Sequence, residues 1–323
     1  VTATGKPLSS LSLDLDNEWS YIKTHGDPNW TEYPSYLDLV VPRFLDLFER
    51  IGQRITVFIV GKDASMPNNR NALRAIADAG HEIGNHSYRH EPWLHRYSRE
   101  ELETEIGGAA EAIEAATGKR PVGFRGPGYS LSVATLETLH AHGYHYDCST
   151  LPTYIGPLAR AYYFMTAKLT PEQREERKSL FGGVSDGFRP LKPYSWDLGG
   201  SRSIVEIPVT TYPLVKVPIH FSYILYAAQV APALAMPYFR SAMLACRATG
   251  LGPSLLLHPL DFLDGDDVKS LAFFPAMRMK RERKLALIEE AVGILRDTFE
   301  VVPVGDHASA VAAKSKARRP DFA

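Results

Sequence analysis

Apolar, strand-like segments alternate along this chain with segments carrying the 3.6-residue period of helices, and that rhythm restricts the fold more than any other feature. The strand-like stretches are Leu8–Leu15, 55–60, 82–84, 122–124, 144–148, 204–209 and 254–258. The helix-like ones are 36–50, 69–79, 99–116, 133–142 and 281–299, several ending at Gly or preceded by Ser or Pro. Strand and helix in turn imply a parallel sheet with helices outside it, because parallel neighbours need a crossover connection. No internal repeat or low-complexity tract interrupts the pattern. Gly61 stands alone after the second strand, so no glycine-rich phosphate loop supports nucleotide binding.

Chemistry-bearing residues collect at the ends of these segments. Leu8–Leu15 reads as a buried strand that ends in acids, with Asp14 and Asp16 two residues apart and therefore on the same side. His86 and His90 follow a second strand-like stretch that runs into a loop or a helical turn; four residues apart, on a helical turn they would share one face and reach a single ion. Two imidazoles and one carboxylate form a facial ligand set for a divalent metal with positions open to water, and the second carboxylate is left over as a base. Acids and histidines at strand ends favour an α/β barrel over an open doubly wound sheet. The 323 residues fit one barrel domain, 1–323, and 45% hydrophobic residues suffice for its core.

A net charge of −1 excludes the basic face expected of a nucleic-acid binder. The only cysteines, Cys148 and Cys246, lie nearly a hundred residues apart, and no secretory signal precedes the first strand, so a reduced, cytoplasmic chain is expected. Two stretches break the rhythm. The first, 151–203, is rich in Pro, Gly, Tyr and Arg and reads as an insertion over the barrel mouth. The second, 217–239, has no Lys, Arg, Asp or Glu. Its prolines and Gln229, and the need for His258 to return to the same site as Asp14, argue against a membrane span. A core or barrel-wall helix is the simpler reading, and a contact with a membrane or a substrate's lipid tail the functional one. The basic tail at Lys314, Lys316, Arg318 and Arg319 would add weak attraction to anionic lipid, or form a disordered end.

Four motifs in order resemble the polysaccharide deacetylases, the carbohydrate esterase family with the NodB homology domain. Ser12-Leu13-Asp14-Leu15-Asp16-Asn17-Glu18 stands where that family usually has T-F-D-D-G, in a D-x-D form similar to its branches acting on lipid-linked sugars or related to peptidoglycan deacetylases. His86-Ser87-Tyr88-Arg89-His90 matches H-[ST]-x-x-H in full, Arg125-Gly126-Pro127-Gly128-Tyr129 matches R-x-P-x-G except at Tyr129, and Leu255-Leu256-Leu257-His258 matches the closing L-x-x-H. The resemblance implies a distorted (β/α) barrel of about seven strands, and N-deacetylation of an amino sugar in a glycan or on a lipid carrier. It implies a divalent ion, zinc first and cobalt, nickel or manganese after it, held by Asp16, His86 and His90, with Asp14 as base. The family's fourth motif, an Asp with a Trp platform, is not recognisable; Asp147, Asp197 beside Trp196, and Glu206 are the candidates to replace it.

On that site Arg125 would hold Asp14 ionised, a backbone N–H near Gly128 and Tyr129 would help bind the oxyanion, Trp196 and Glu206 would contact substrate, and His258 would protonate the departing amine. Two other readings stay open: a cyclic amide or imide hydrolase or sugar-lipid deformylase on the same barrel, and a carbohydrate-binding relative without catalysis. Oligomeric state is not legible.

Overall fold

The computed structural model describes residues 5–322 apart from 168, 179 and 181. Ten strands form one sheet: β1 (Leu8–Leu15), β2 (Thr56–Ile59), β3 (Glu82–Asn85), β4 (Gly123–Phe124), β5 (Tyr146–Asp147), β6 (Tyr194–Asp197), β7 (Ser203–Glu206), β8 (Ser254–Leu257), β9 (Glu300–Val302) and β10 (Lys316–Arg318). Their order is β10-β6-β7-β5-β4-β3-β2-β1-β8, with β9 added to β1. Seven of them, from β8 through β1 to β5 and β7, are parallel throughout. The ring closes just beyond β7, where the Thr210 N–H donates to the Ser254 carbonyl (2.9 Å) and the Ser254 N–H to the Thr210 hydroxyl (2.8 Å). The fold is thus a distorted barrel.

Central strands buried on both faces are near-continuously apolar. In β2 all four residues are buried, and Leu11, Leu13 and Leu15 of β1 pack into the main core with Leu255 and Leu257 of β8. The helices lie outside. Leu37–Arg50 follows β1, Arg70–Asp78 follows β2, Val133–Ala141 follows β4 and Arg281–Thr298 follows β8, each within a residue or two of the expected span. The expected 99–116 helix is three pieces, Arg99–Leu102, a π-helical Glu103–Gly108 and Ala109–Thr117. Wide turns of that kind re-aim side chains, and this one turns buried Glu105 toward the site.

The stretch without charged residues forms two helices, Phe221–Val230 and Pro232–Ala248, broken at Ala231 where proline opens the second. Phe221, Ile224, Leu225 and Ala228 face inward, while Tyr226, Val230 and Leu234 are exposed. Among the described residues no helix is long and apolar enough to cross a membrane. The basic tail is not a loose end: Lys316–Arg318 is β10, parallel to β6, and Phe322 packs on Trp196 with ring centroids 5.1 Å apart. A sheet edge left open by β6 offers unpaired backbone groups, and the tail satisfies them. Cys148 and Cys246 are both free and buried.

Beneath the β5 and β7 ends lies a buried carboxyl pair. Asp147 accepts from the Ser149 hydroxyl (2.6 Å), and Glu206 accepts from the Thr150 hydroxyl (2.6 Å) and the Trp196 indole (2.9 Å). Burial, and then the Asp147 charge, push the Glu206 carboxyl well above its ordinary 4.5, so it keeps a proton for Asp147. Between the ordinary and the raised value the native protein holds a proton that the unfolded chain releases, and stability falls as pH rises. Glu206→Gln has no such proton to lose. Its thermal midpoint should drop less than that of the unsubstituted protein between about pH 5 and about pH 8, measured by calorimetry; an equal drop would count against the buried proton.

Candidate metal centre and catalytic cleft

The barrel delivers its reactive side chains to one end. Asp14 lies near the end of β1 and Asp16 just past it; His86 follows β3, Arg125 follows β4, Ser149 follows β5 and His258 follows β8. These are carboxyl ends of parallel strands, where barrels of this kind carry their sites. They open on a cleft of about 1820 Å³ whose floor includes Asp14, Asp16, His86, His90 and His258.

Asp16 Oδ1 lies 3.0 Å from His90 Nε2 and 3.4 Å from His86 Nε2, and these ligand atoms fall within 4.8 Å of one another. The His86 Nδ1 sits 2.6 Å from the Arg125 carbonyl. A carbonyl only accepts, so Nδ1 carries the proton and Nε2 turns its lone pair toward Asp16. Asp16 Oδ1 is itself buried without a conventional hydrogen-bond donor. Lone pairs facing one another in a buried space suit a cation, and two imidazoles with one carboxylate match a divalent metal such as zinc.

His86 and His90 do not sit on a helical turn. Ser87 and His90 take φ values of 62° and 53°, and the segment is a tight loop. Local bonds hold it: the Ser87 N–H donates to Asn85 Oδ1 (2.8 Å), and the N–H groups of Tyr88 and Arg89 to Glu105 Oε2 (3.0 and 2.9 Å). The four-residue spacing therefore converges through a carboxylate-pinned loop, which helical periodicity does not anticipate.

Asp14 faces a different partner. The buried Arg125 guanidinium donates to Asp14 Oδ1, to the Ser12 hydroxyl (2.9 Å) and to the Cys148 carbonyl (3.3 Å), and lies over the Phe58 ring at 4.4 Å. The following turn also lines the cleft. Gly128 adopts φ +59°, and a Cβ on Gly126 would come within 2.2 Å of the Ser130 carbonyl oxygen, so neither position tolerates a side chain. Tyr129 projects into the cleft while its N–H donates to the Gly126 carbonyl (2.9 Å).

Across the cleft, the Ser222 hydroxyl donates to Asp261 Oδ1 (2.9 Å) and lies 3.0 Å from His258 Nδ1; the His258 N–H donates to Asp261 Oδ2 (2.8 Å). With its proton committed to Asp261, the Ser222 oxygen accepts from Nδ1, and Nε2 is the ring atom left for substrate. The expected replacements for a partner acid are elsewhere. Asp147 and Glu206 form the buried pair, Trp196 is fully buried in the second core, and Asp197 Oδ1 caps a turn at Gly199 (2.9 Å). None of these four lines the cleft, so Trp196 and Glu206 do not contact substrate there. Asp261 had a signal, standing three residues after His258 in a capping spacing. Ser222, like His220, lay inside the stretch read only as apolar.

The expected insertion contributes Ile155, Arg160, Tyr163, Asp186, Phe188 and Arg189 to the cleft wall, and the chain's end adds Arg318 and Phe322.

A family model described as polysaccharide deacetylase matches residues 32–146, which include His86, His90 and Arg125 but not Asp14, Asp16 or His258. A peptidoglycan deacetylase-like protein, FGM2, of Gibberella zeae is 31% identical over 221 residues, 67% of this chain and 60% of the relative. The peptidoglycan deacetylase of Helicobacter pylori is 35% identical over 111 residues, 34% of this chain and 37% of that protein. The matches thus span less than two thirds of either curated relative. Among solved structures, a Mycobacterium smegmatis protein assigned as a polysaccharide deacetylase superposes with a TM-score of 0.66 at 22% identity, covering 100% of this chain and 97% of its own. Puue allantoinase does so with 0.52 at 16% identity, covering 95% and 90%. At those identities the likeness is one of fold.

If the three converging residues bind the ion, His86→Ala or His90→Ala leaves two ligands, too few to retain zinc against water. Dialysed variants should contain far less than one equivalent of zinc by mass spectrometry. A stoichiometric ion in either would refute the ligand set.

Proposed function

Because the chain belongs to the polysaccharide deacetylase family, we propose that it is a metal-dependent hydrolase that removes the N-acetyl group of an amino sugar within a glycan. The observation that carries this reading is the division of labour between two carboxylates on one strand side: Asp16 turned to two imidazoles, Asp14 to a guanidinium. A cleft of about 1820 Å³ exceeds what a small cyclic amide occupies and favours a sugar chain.

A divalent ion held by Asp16, His86 and His90 would supply Lewis acidity, lowering the pKa of water and polarising the acyl carbonyl. Asp14 takes the proton of the attacking water as the oxygen–carbon bond forms. Arg125 fixes the direction of the Asp14 carboxylate through a charged hydrogen bond. Gly128 lines the same cleft, and its backbone N–H is our candidate for an oxyanion donor. As the carbon–nitrogen bond breaks, its electron pair stays on nitrogen, and His258 Nε2 delivers a proton there so that the amine leaves neutral. Ser222 and Asp261 orient that ring. Acetate and the free amino sugar are the products.

The zinc-loaded protein should release acetate from N-acetylated peptidoglycan or chitin oligomers and leave allantoin intact; the reverse preference would overturn the reading. Asp14→Asn should retain zinc and lose about 10²–10⁴ in kcat/KM, since an amide accepts no proton. Zinc lost from Asp14→Asn but kept by Asp16→Asn would exchange their roles.

His258→Ala should slow amide cleavage by about 10²–10⁴ and hydrolysis of 4-nitrophenyl acetate much less, because nitrophenolate departs unprotonated. Ser222→Ala should move both in the same direction by less. Equal losses on amide and ester would argue against a leaving-group acid.

A further inference from the structure

Tyr21 enters neither the ligand set nor the relay at His258. It sits on the helix Glu18–Thr24, which starts two residues after Asp16, and its ring packs edge-on against Phe274 with centroids 5.3 Å apart. The side chain lines the cleft, yet its hydroxyl is buried and has no hydrogen-bond partner. A buried hydroxyl left unpaired is costly, so such a group waits for a partner that arrives with the ligand.

The surroundings determine what that partner is. Burial raises the phenol well above its ordinary 10, and the charges of Asp16, Asp261 and Asp14 add to it. The phenolate form is thereby excluded, and Tyr21 acts as a donor and never as a base. Asp14 meets the water's proton and His258 the leaving nitrogen. The remaining acceptor that gains charge during the reaction is the acyl oxygen.

We propose that the Tyr21 hydroxyl donates a hydrogen bond to the acyl oxygen of the substrate and strengthens it as that oxygen becomes anionic. The assignment rests on the reading of this cleft as an amide-hydrolysing site. A phenol so placed is preorganised, with its ring held by Phe274 and its proton uncommitted, which is the condition for stabilising a transition state more than a ground state.

The test is Tyr21→Phe in the full, zinc-loaded chain, which removes one oxygen and keeps the ring contact with Phe274. Zinc content should stay unchanged, and the thermal midpoint should not fall, since the hydroxyl removed is a buried one without a partner. The kcat for deacetylation should fall about 10²-fold with KM little altered. Affinity for methylphosphonate, a tetrahedral anion that imitates the developing intermediate, should fall at least tenfold by calorimetry, and affinity for planar acetate by less. Unchanged kcat and unchanged methylphosphonate affinity would overturn the proposal. Loss of zinc would overturn it too, by showing that Tyr21 acts on the ligand set. If the unsubstituted protein cleaves no acetylated sugar but binds methylphosphonate through Tyr21, the substrate reading fails while the donor assignment stands. If deacetylation proceeds and survives Tyr21→Phe intact, the donor assignment fails while the substrate reading stands.

Discussion

A guanidinium with no exposed surface holds the site together. Arg125 is completely buried, and a charge in that position must be paired and hydrogen-bonded, since removing one partner of a buried ion pair costs about 3–5 kcal/mol. Its partners are spread over the barrel: Asp14 and Ser12 on β1, the Cys148 carbonyl after β5, and the Phe58 ring on β2. Its own carbonyl sets the proton position on His86. One residue therefore fixes the direction of the spare carboxylate and the tautomer of an imidazole in the ligand set. These two halves of the site are mechanically linked, which a motif read residue by residue does not convey.

What the sequence made legible was whatever depends on neighbours along the chain. The strand Leu8–Leu15 matched to the residue because a central parallel strand is buried on both faces, and only small serines stand among its leucines before the acids. The helices between strands were found within a residue or two because their apolar faces recur at helical spacing. What depends on distant partners was not legible. The loop carrying His86 and His90 is shaped by Glu105, whose carboxylate is turned inward by a π-helical stretch that no periodicity marks. β6, β9 and β10 are short, and each becomes a strand only because a sheet edge lies beside it. Trp196, expected to contact substrate, instead donates its indole N–H to Glu206 in the core.

The two stretches that interrupt the strand–helix rhythm turn out to shape the cleft. The segment 151–203 lines it with Arg160, Tyr163 and Arg189, and then supplies β6, the strand on which the chain's end adds β10. That end places Arg318 and Phe322 in the same wall. The segment 217–239 supplies His220, Ser222 and Tyr223 to the cleft from a helix whose other inward residues are apolar. A wall built from late, irregular parts of the sequence can vary while the strand ends beneath it stay fixed, a separation of specificity from chemistry that barrels permit.

Asp14 and Asp16 show how finely the strand pleat matters. Alternation puts both carboxylates on the cleft side, and the residue between them, Leu15, points the opposite way into the core, where it is 1% exposed. At this spacing the two carboxylates share a side and little else. One faces a guanidinium that is always charged, the other two imidazole rings. The phenol of Tyr21, on the next helix, stands within reach of both their fields. The two carboxylates and this phenol thus come from eight consecutive residues, 14 to 21, and the barrel needs only to bring histidines and an arginine from other strand ends to meet them.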